Sequence, residues 1–165
     1  MIVVEERLAL AFSQLPEIDG FKPYYESGND KHLNKLMKAM SNDRKSPYPL
    51  IYQISNTDNQ DEMSDNTNTD LVLILACQNL ETELLNKNRY AITYRNVLNP
   101  LAQNIVKLFY RAGIFNWDGK YKIEKFTNFG EEPADKNKTT DIWDVIRFST
   151  NITINSNCIV NNIKF

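Results

Sequence analysis

The hydrophobic pattern of the chain is strongest at residues 71–77, where seven consecutive residues are apolar. Asp70 precedes this run and Gln78 follows it. The run is short for a free-standing helix, whereas a continuous apolar stretch of this length is typical of a β-strand covered on both faces. The sequence therefore predicts a central strand with other elements packed on both sides of it.

Helical periodicity predicts three helices. The first lies within residues 3–15, whose apolar residues share one face, and it ends before Pro16. Asn29 or Asp30 can cap the second helix. Its apolar stripe consists of Leu33, Leu36, Met37 and Met40.

The third helix carries the clearest boundary signals. We interpret Asn99 as its N-cap, Pro100 as its first helical residue and Gly113 as its terminator. The preceding residues 94–98 can extend it backward, with Pro100 as a kink. Its apolar stripe predicts that it lies across one face of the sheet.

Further strands are predicted at residues 50–55, 120–126 and 142–154, where apolar and polar residues alternate or cluster over strand lengths. Residues 20–31 contain glycine and proline among aromatic residues and are interpreted as an irregular turn. The predicted fold is a single domain over residues 1–165. It is α+β, with a mixed or antiparallel β-sheet packed against two or three helices.

Two polar loops separate the predicted strands. Residues 55–70 contain no positive charge and one large apolar residue, Met63, so we expect them to form a long, mobile hairpin tip outside the core. The acidic residues that mark this loop are Asp58, Asp61, Glu62 and Asp65. The second loop, within residues 130–140, contains Glu131, Glu132, Asp135 and Lys136.

Composition narrows the functional classes. The net charge is −2 and the basic residues are spread along the chain, which argues against a nucleic-acid binder with a basic stripe. Residues 1–12 include Glu5, Glu6 and Arg7 where a signal peptide requires an apolar centre, so we expect neither secretion nor membrane insertion. We interpret Cys77 and Cys158 as free thiols in apolar surroundings.

The residues required for common catalytic and cofactor sites are missing from the sequence. His32 is the only histidine, and we interpret it as a surface or boundary residue. The five glycines form no phosphate-binding motif, and the acidic loop lacks the glycine of a calcium loop. We therefore expect no enzyme activity, cofactor or metal, and we assign Trp117 and Trp143 to the core or an interface.

Five short phrases occur in an order that resembles a known family. They are Tyr24-Tyr25-x-x-Gly28, Tyr48-Pro-Leu-Ile-Tyr-Gln, Asp70-Leu-Val-Leu-Ile-Leu, Tyr94-Arg-Asn-Val-Leu-Asn-Pro-Leu and Asp141-Ile-Trp-Asp-Val-Ile. Together with the N-terminal helix they resemble the tail-terminator or tail-completion proteins of tailed bacteriophages, also called minor tail protein U-like.

The resemblance implies a structural virion protein at the head-tail neck or tail end, assembled in the host cytoplasm. Such a subunit forms a homo-oligomeric ring, a hexamer or dodecamer, that contacts other neck or tail proteins and encloses the DNA channel without reading its sequence. Its interface candidates here are the loops at residues 57–69 and 130–140 and the exposed faces of the outer helices. Acidic side chains facing the channel would repel the DNA phosphates and let DNA slide.

The basic face of the second helix offers an alternative function. Lys31, Lys35 and Lys38 lie on its polar side, and Arg44 and Lys45 follow it. A small regulatory or nucleic-acid-binding module could use these residues to contact phosphate, although a solvated helix face is the commoner meaning of such a pattern.

Overall fold

The computed structural model describes residues 3–42, 49–55, 59–60, 66–79, 86–129, 142–155 and 165. Its helices are α1 (Val4–Phe12), α2 (Asp30–Asn42), α3 (Asn86–Arg89) and α4 (Asn99–Arg111), and a π-helical segment, Tyr90–Leu98, joins α3 to α4. The strands are β1 (Tyr24–Gly28), β2 (Leu50–Ile54), β3 (Asn59–Gln60), β4 (Asn66–Asn79), β5 (Phe115–Asn116), β6 (Tyr121–Phe129) and β7 (Ile142–Asn155). The predicted α+β class is confirmed.

All seven strands belong to one mixed sheet, ordered β1-β2-β4-β7-β5, with β3 beside β4 and β6 beside β7. The β1-β2 pair is parallel and the other pairs are antiparallel. The longest pairing joins β4 to β7 from Asn66 opposite Asn155 to Asn79 opposite Ile142. The predicted antiparallel pairing of β2 with the central strand is also confirmed.

The central strand is covered on both faces, as its apolar run predicts. Because side chains alternate along a strand, Leu71, Leu73 and Leu75 point to one face, here called the front, and Ile74 and Ala76 point to the other, called the back. All five are buried. The two faces bury separate hydrophobic clusters, which explains why the strand contains no alternating polar residues.

The helices divide between the two faces. On the front, α1 packs through Leu8 and Phe12, and α4 packs through residues such as Leu108, so the long helix lies on the sheet as predicted. On the back, α2 contributes Leu33 and Met40 to the cluster around Trp143. The side chain of Asn29 caps α2, since its Oδ1 accepts a hydrogen bond from the backbone N–H of His32 at 2.9 Å.

The long helix begins earlier than Asn99. Asn99 itself has helical dihedral angles, so its assignment as an N-cap is wrong. Its backbone N–H bonds to the oxygen of Tyr94, five residues back, which is the π-helical pattern. Pro100 has no N–H and its ring crowds the carbonyl four residues earlier, so a widened segment just before it relieves both problems. Gly113 follows the helix with a φ of 70°, as expected for its terminator.

The segment before α2 is more regular than the sequence suggests. Ile18 and Phe21 exchange two backbone hydrogen bonds across Asp19 and Gly20, whose φ angles of 53° and 80° form a tight two-residue turn. The chain then enters β1 rather than an irregular turn. Sequence periodicity misses β1 because a five-residue edge strand has few positions to show alternation.

The predicted first polar loop is shorter than expected at its C-terminal end. β4 begins at Asn66, and Asn59–Gln60 pairs with Asn68 and Thr67. Thr67 and Thr69 are buried, so this part of the predicted loop belongs to the sheet and not to a solvated tip. The four acidic residues assigned to the tip, Asp58, Asp61, Glu62 and Asp65, lie outside the described residues.

Candidate assembly surface

Strand β6 forms one edge of the sheet. It pairs with β7 along one side, and within the described residues no strand pairs with its other side. Its apolar side chains Tyr121, Ile123 and Phe126 are exposed. An edge strand that carries exposed apolar residues is suited to pairing with another chain, because its outer backbone groups are available for hydrogen bonds.

A groove runs between β6 and α4 on the front of the sheet. Its volume is about 380 Å³ and it is open to solvent. One wall is formed by α4 and the other by β6, through Asn99, Ala102, Gln103, Val106, Lys107, Tyr121 and Ile123. Helices thus cover the front face of the sheet around β4, whereas the front face at β6 is partly exposed to solvent.

An aromatic cluster holds the end of the groove in place. The Trp117 ring contacts Tyr110 at a centroid distance of 4.7 Å and Tyr121 at 5.9 Å. The Trp117 Nε1–H donates to Thr150 Oγ1 at 2.7 Å, and that hydroxyl donates to the backbone oxygen of Lys120 at 2.6 Å. These bonds tie the exposed rings to β7, so the surface is preorganised for a partner.

Tyr94 fixes the other end of β6, where the strand has an irregularity between Phe126 and Phe129. The Tyr94 hydroxyl donates to the backbone oxygen of Phe126 at 2.7 Å. Burial and the nearby Asp144 carboxylate raise the pKa of Tyr94, so the hydroxyl stays protonated and able to donate. The Lys125 ammonium lies 5.5 Å from the centre of the same ring.

The opposite edge of the sheet is β1. It pairs with β2 on one side, and the described part of the chain places no strand on its other side. Glu26 is the only charged residue of β1 and is half-buried. Its carboxylate accepts hydrogen bonds from the Tyr24 hydroxyl at 3.0 Å and from the Ser27 N–H at 3.3 Å.

A buried ion pair lies on the front face at the end of the sheet. Arg89 Nε is 3.6 Å from Asp144 Oδ1, and both side chains are almost fully enclosed. Thr93 Oγ1 lies 2.7 Å from Asp144 Oδ2 and 2.7 Å from the backbone oxygen of Arg89. Burial raises the pKa of Asp144 despite its two polar neighbours. Among the described residues, Arg89 Nε and Nη2 have no hydrogen-bond partner.

This ion pair is a structural feature that the sequence reasoning missed. Asp144 is in phase with the inward-facing Ile146 and Phe148, so strand alternation alone would have placed it inside. Cys77 is directly opposite Asp144 in the β4-β7 pairing. Burial, followed by the Asp144 charge, raises the pKa of Cys77 to about 12, so its thiol is a poor nucleophile at neutral pH.

The back of the sheet carries a polar patch beyond the area that α2 covers. Asn68 and Asn151 exchange side-chain amide hydrogen bonds of 2.9 and 3.0 Å. Asn68 Nδ2 also donates to Thr153 Oγ1 at 3.0 Å, and Asn151 Nδ2 donates to Asp70 Oδ1 at 2.8 Å. These bonds link β4 to β7 at the surface and use much of the donor capacity of both amides.

The structure brings few of the sequence-predicted site residues together. The second predicted interface loop, with Glu131, Glu132, Asp135 and Lys136, lies outside the described residues. Lys31 and Lys35 are exposed on α2, whereas the side chains of Lys38, Arg44 and Lys45 are outside the description. His32 is exposed, as predicted, and its ring stacks on Tyr52 with centroids 6.3 Å apart.

The described residues contain neither a metal-binding cluster nor a membrane-spanning helix. No group of three or more His, Cys, Asp or Glu side chains there could hold a metal ion. No helix in those parts of the chain is long and apolar enough to cross a lipid bilayer.

Comparison with known proteins adds no relative. No protein-family model matches the chain, and no curated protein sequence matches it. The surfaces that bear on function are therefore the two sheet edges, β6 and β1, and the groove between β6 and α4.

Proposed function

We propose that the protein is a structural subunit of a tailed-phage virion, at the head-tail neck or at the tail end. In this role it forms a ring around the DNA channel and joins or terminates the tail by surface complementarity, without catalysis. The virion is then its final location, and the ring is assembled in the host cytoplasm. The resemblance of five sequence phrases to tail-terminator proteins motivates this proposal.

The observation that supports the proposal best is that apolar side chains on the front face of β6 are exposed to solvent. Tyr121 and Ile123 line a preorganised groove beside an available sheet edge. Each Å² of apolar surface that a neighbour removes from water contributes roughly 25 cal/mol, so self-association there is favourable once the interface is large. Ring closure needs two different surfaces on each subunit, and a sheet with two edges supplies them.

The acidic loop has a distinct role in the proposal. Asp58, Asp61, Glu62 and Asp65 would face the channel and repel the phosphate backbone, so that DNA slides without sticking. Deleting the loop, residues 56–68, is a poor test of this role. Because β4 begins at Asn66, the deletion would also remove part of the sheet. Charge-neutral substitution of the four residues by Asn and Gln is the cleaner test: virions should assemble but eject DNA more slowly.

Native mass spectrometry over a range of concentrations tests the ring directly, with negative-stain images of any large species. We expect closed rings of six or twelve subunits. A protein that stays monomeric and also fails to bind purified tails or head connectors would contradict the proposed function.

The alternative is a small nucleic-acid-binding or regulatory module. Its support in the structure is the pair Lys31 and Lys35, which are both exposed one helical turn apart on α2. Binding to short duplex DNA that weakens steeply with salt, and weakens further in a double Lys31→Gln, Lys35→Gln variant, would favour this alternative.

A further inference from the structure

We infer that the two edges of the sheet pair with each other between subunits: β6 of one copy lies beside β1 of the next, and α1 of that next copy covers the groove between α4 and β6. This inference rests on the proposed ring and specifies its contact. The partner is therefore a second copy of this chain, bound head to tail.

Strand directions permit this pairing. β1 runs parallel to β2, and each step from β2 to β4, β7 and β6 reverses the direction. β1 and β6 therefore run in opposite directions within one subunit. When two copies stand side by side with their front faces aligned, β6 and the neighbouring β1 meet as an antiparallel pair, which can form a regular hydrogen-bond ladder.

The positions of the helices explain what fills the groove. α1 covers the front face beside β1, where Phe12 contacts Tyr25 at a centroid distance of 5.2 Å. The groove lies on the same face beside β6. Aligned front faces therefore bring α1 of the next copy alongside the groove. α1 also exposes Leu10, a large apolar side chain that is 55% accessible to solvent.

Charge favours joining the two different edges. Burial raises the pKa of Tyr25, and the charges of Glu5 on α1 and Glu26 on β1 raise it further, so both carboxylates lie near this edge of the sheet. On the β6 edge Lys122 pairs with Glu124 at 2.9 Å, so the net positive charge of this strand comes from Lys125. Joining β6 to another β6 would instead bring two positively charged strands together and leave the exposed Leu10 of α1 without a contact.

Two single substitutions separate the two sides of this contact. Leu10→Asp damages the α1 side and leaves β6 intact, whereas Ile123→Asp damages the β6 side and leaves α1 intact. We expect each variant alone to need a concentration about tenfold higher or more for half-assembly, measured by sedimentation velocity. Ile92→Asp is the matched control, since Ile92 is 51% exposed and does not line the groove.

Mixing the two variants gives the decisive result. A head-to-tail contact leaves one intact interface between an Ile123→Asp subunit and a Leu10→Asp subunit, so the mixture should form 1:1 heterodimers that grow no further. If β6 pairs with β6, Leu10→Asp will assemble normally and the mixture will form no heterodimer, which overturns the inference.

The remaining outcomes distinguish this inference from the proposed function. Wild-type rings that neither substitution weakens would overturn the edge contact and leave the ring proposal standing. A wild-type chain that is monomeric at every concentration would overturn edge pairing as a contact of the free protein, and binding to purified tails then decides the proposed function separately. Circular dichroism of each variant confirms that the fold is retained.

Discussion

Arg89 and Asp144 face each other inside the protein, with Arg89 Nε 3.6 Å from Asp144 Oδ1 and with the two side chains 7% and 0% exposed. The pair joins the start of the long helix to β7 on the front of the sheet. Burying two charges is costly, and within the part of the chain that the structure describes only Thr93 donates a hydrogen bond to the carboxylate. We therefore expect the pair to contribute little net stability and to fix the position of the long helix on the sheet.

A double-mutant cycle tests this relationship. Arg89→Met or Asp144→Leu alone leaves one buried charge without its partner, so each should lower the free energy of unfolding by about 3–5 kcal/mol. The double variant should recover much of that loss because it removes both charges. Urea unfolding measures all four proteins, with Lys120→Met as a control for an exposed ion pair. Additive losses would contradict the coupling.

The same site predicts a pH dependence. Burial raises the pKa of Asp144 above its unfolded value, so the unfolded state releases this proton first as the pH rises. Asp144 therefore weakens the fold progressively above the unfolded pKa of about 3.9. Arg89→Met removes the compensating cation, and its loss of stability relative to the wild type should grow from pH 4 to pH 7. A loss that is independent of pH would show that Asp144 does not ionise there.

Removing the Tyr94 hydroxyl should loosen the edge strand. Tyr94→Phe deletes the hydrogen bond to the Phe126 backbone oxygen and should lower the free energy of unfolding by about 1 kcal/mol. Hydrogen exchange should quicken in β6 more than in β4. Tyr90→Phe, on an exposed neighbouring ring, is the control and should change neither quantity. Equal effects of the two variants would contradict the role of the hydroxyl.

Gly119 supports the aromatic end of the assembly surface. Its φ is 81°, and a Cβ there would meet the hydroxyl of Tyr110. Gly20 has a φ of 80° but open space around it, so Gly20→Ala measures the backbone strain alone, about 1 kcal/mol. Gly119→Ala should displace the exposed Tyr110 ring at little further cost in stability, and it should change the near-ultraviolet circular dichroism of the Trp117 cluster, which Gly20→Ala should leave unchanged. Identical behaviour of the two variants would exclude a role for Tyr110.

The Cys77 thiol should be inert in the folded protein. Burial raises its pKa to about 12, so little thiolate is present at pH 8. In a Cys158→Ser variant, which leaves Cys77 as the single thiol, alkylation at pH 8 should be slow without urea and fast with it. Because the folded pKa is the higher one, the thiol also weakens the fold as the pH rises above about 9. Rapid alkylation of Cys77 in the native protein at pH 8 would contradict the predicted inertness of this thiol.

Local patterns predicted most of the elements. The apolar run at residues 71–77 indicates a strand covered on both faces, and Leu33 and Met40 are buried as the periodicity of α2 predicts. Such features follow from the sequence because alternation and helical periodicity are set by residues a few positions apart. The extension of the long helix over residues 94–98, before Pro100, was predicted from the same kind of local pattern.

The candidate site could not be predicted in this way. Whether Ile123 is buried or exposed depends on whether a helix covers β6, and the partner of Asp144 is Arg89, which is distant in sequence. The sequence by itself determined α1, α2, α4 and the strands β2, β4, β6 and β7, because their patterns are local. Only the tertiary structure decided which strands form the edges and which apolar side chains stay exposed, because those depend on contacts between residues far apart in the chain.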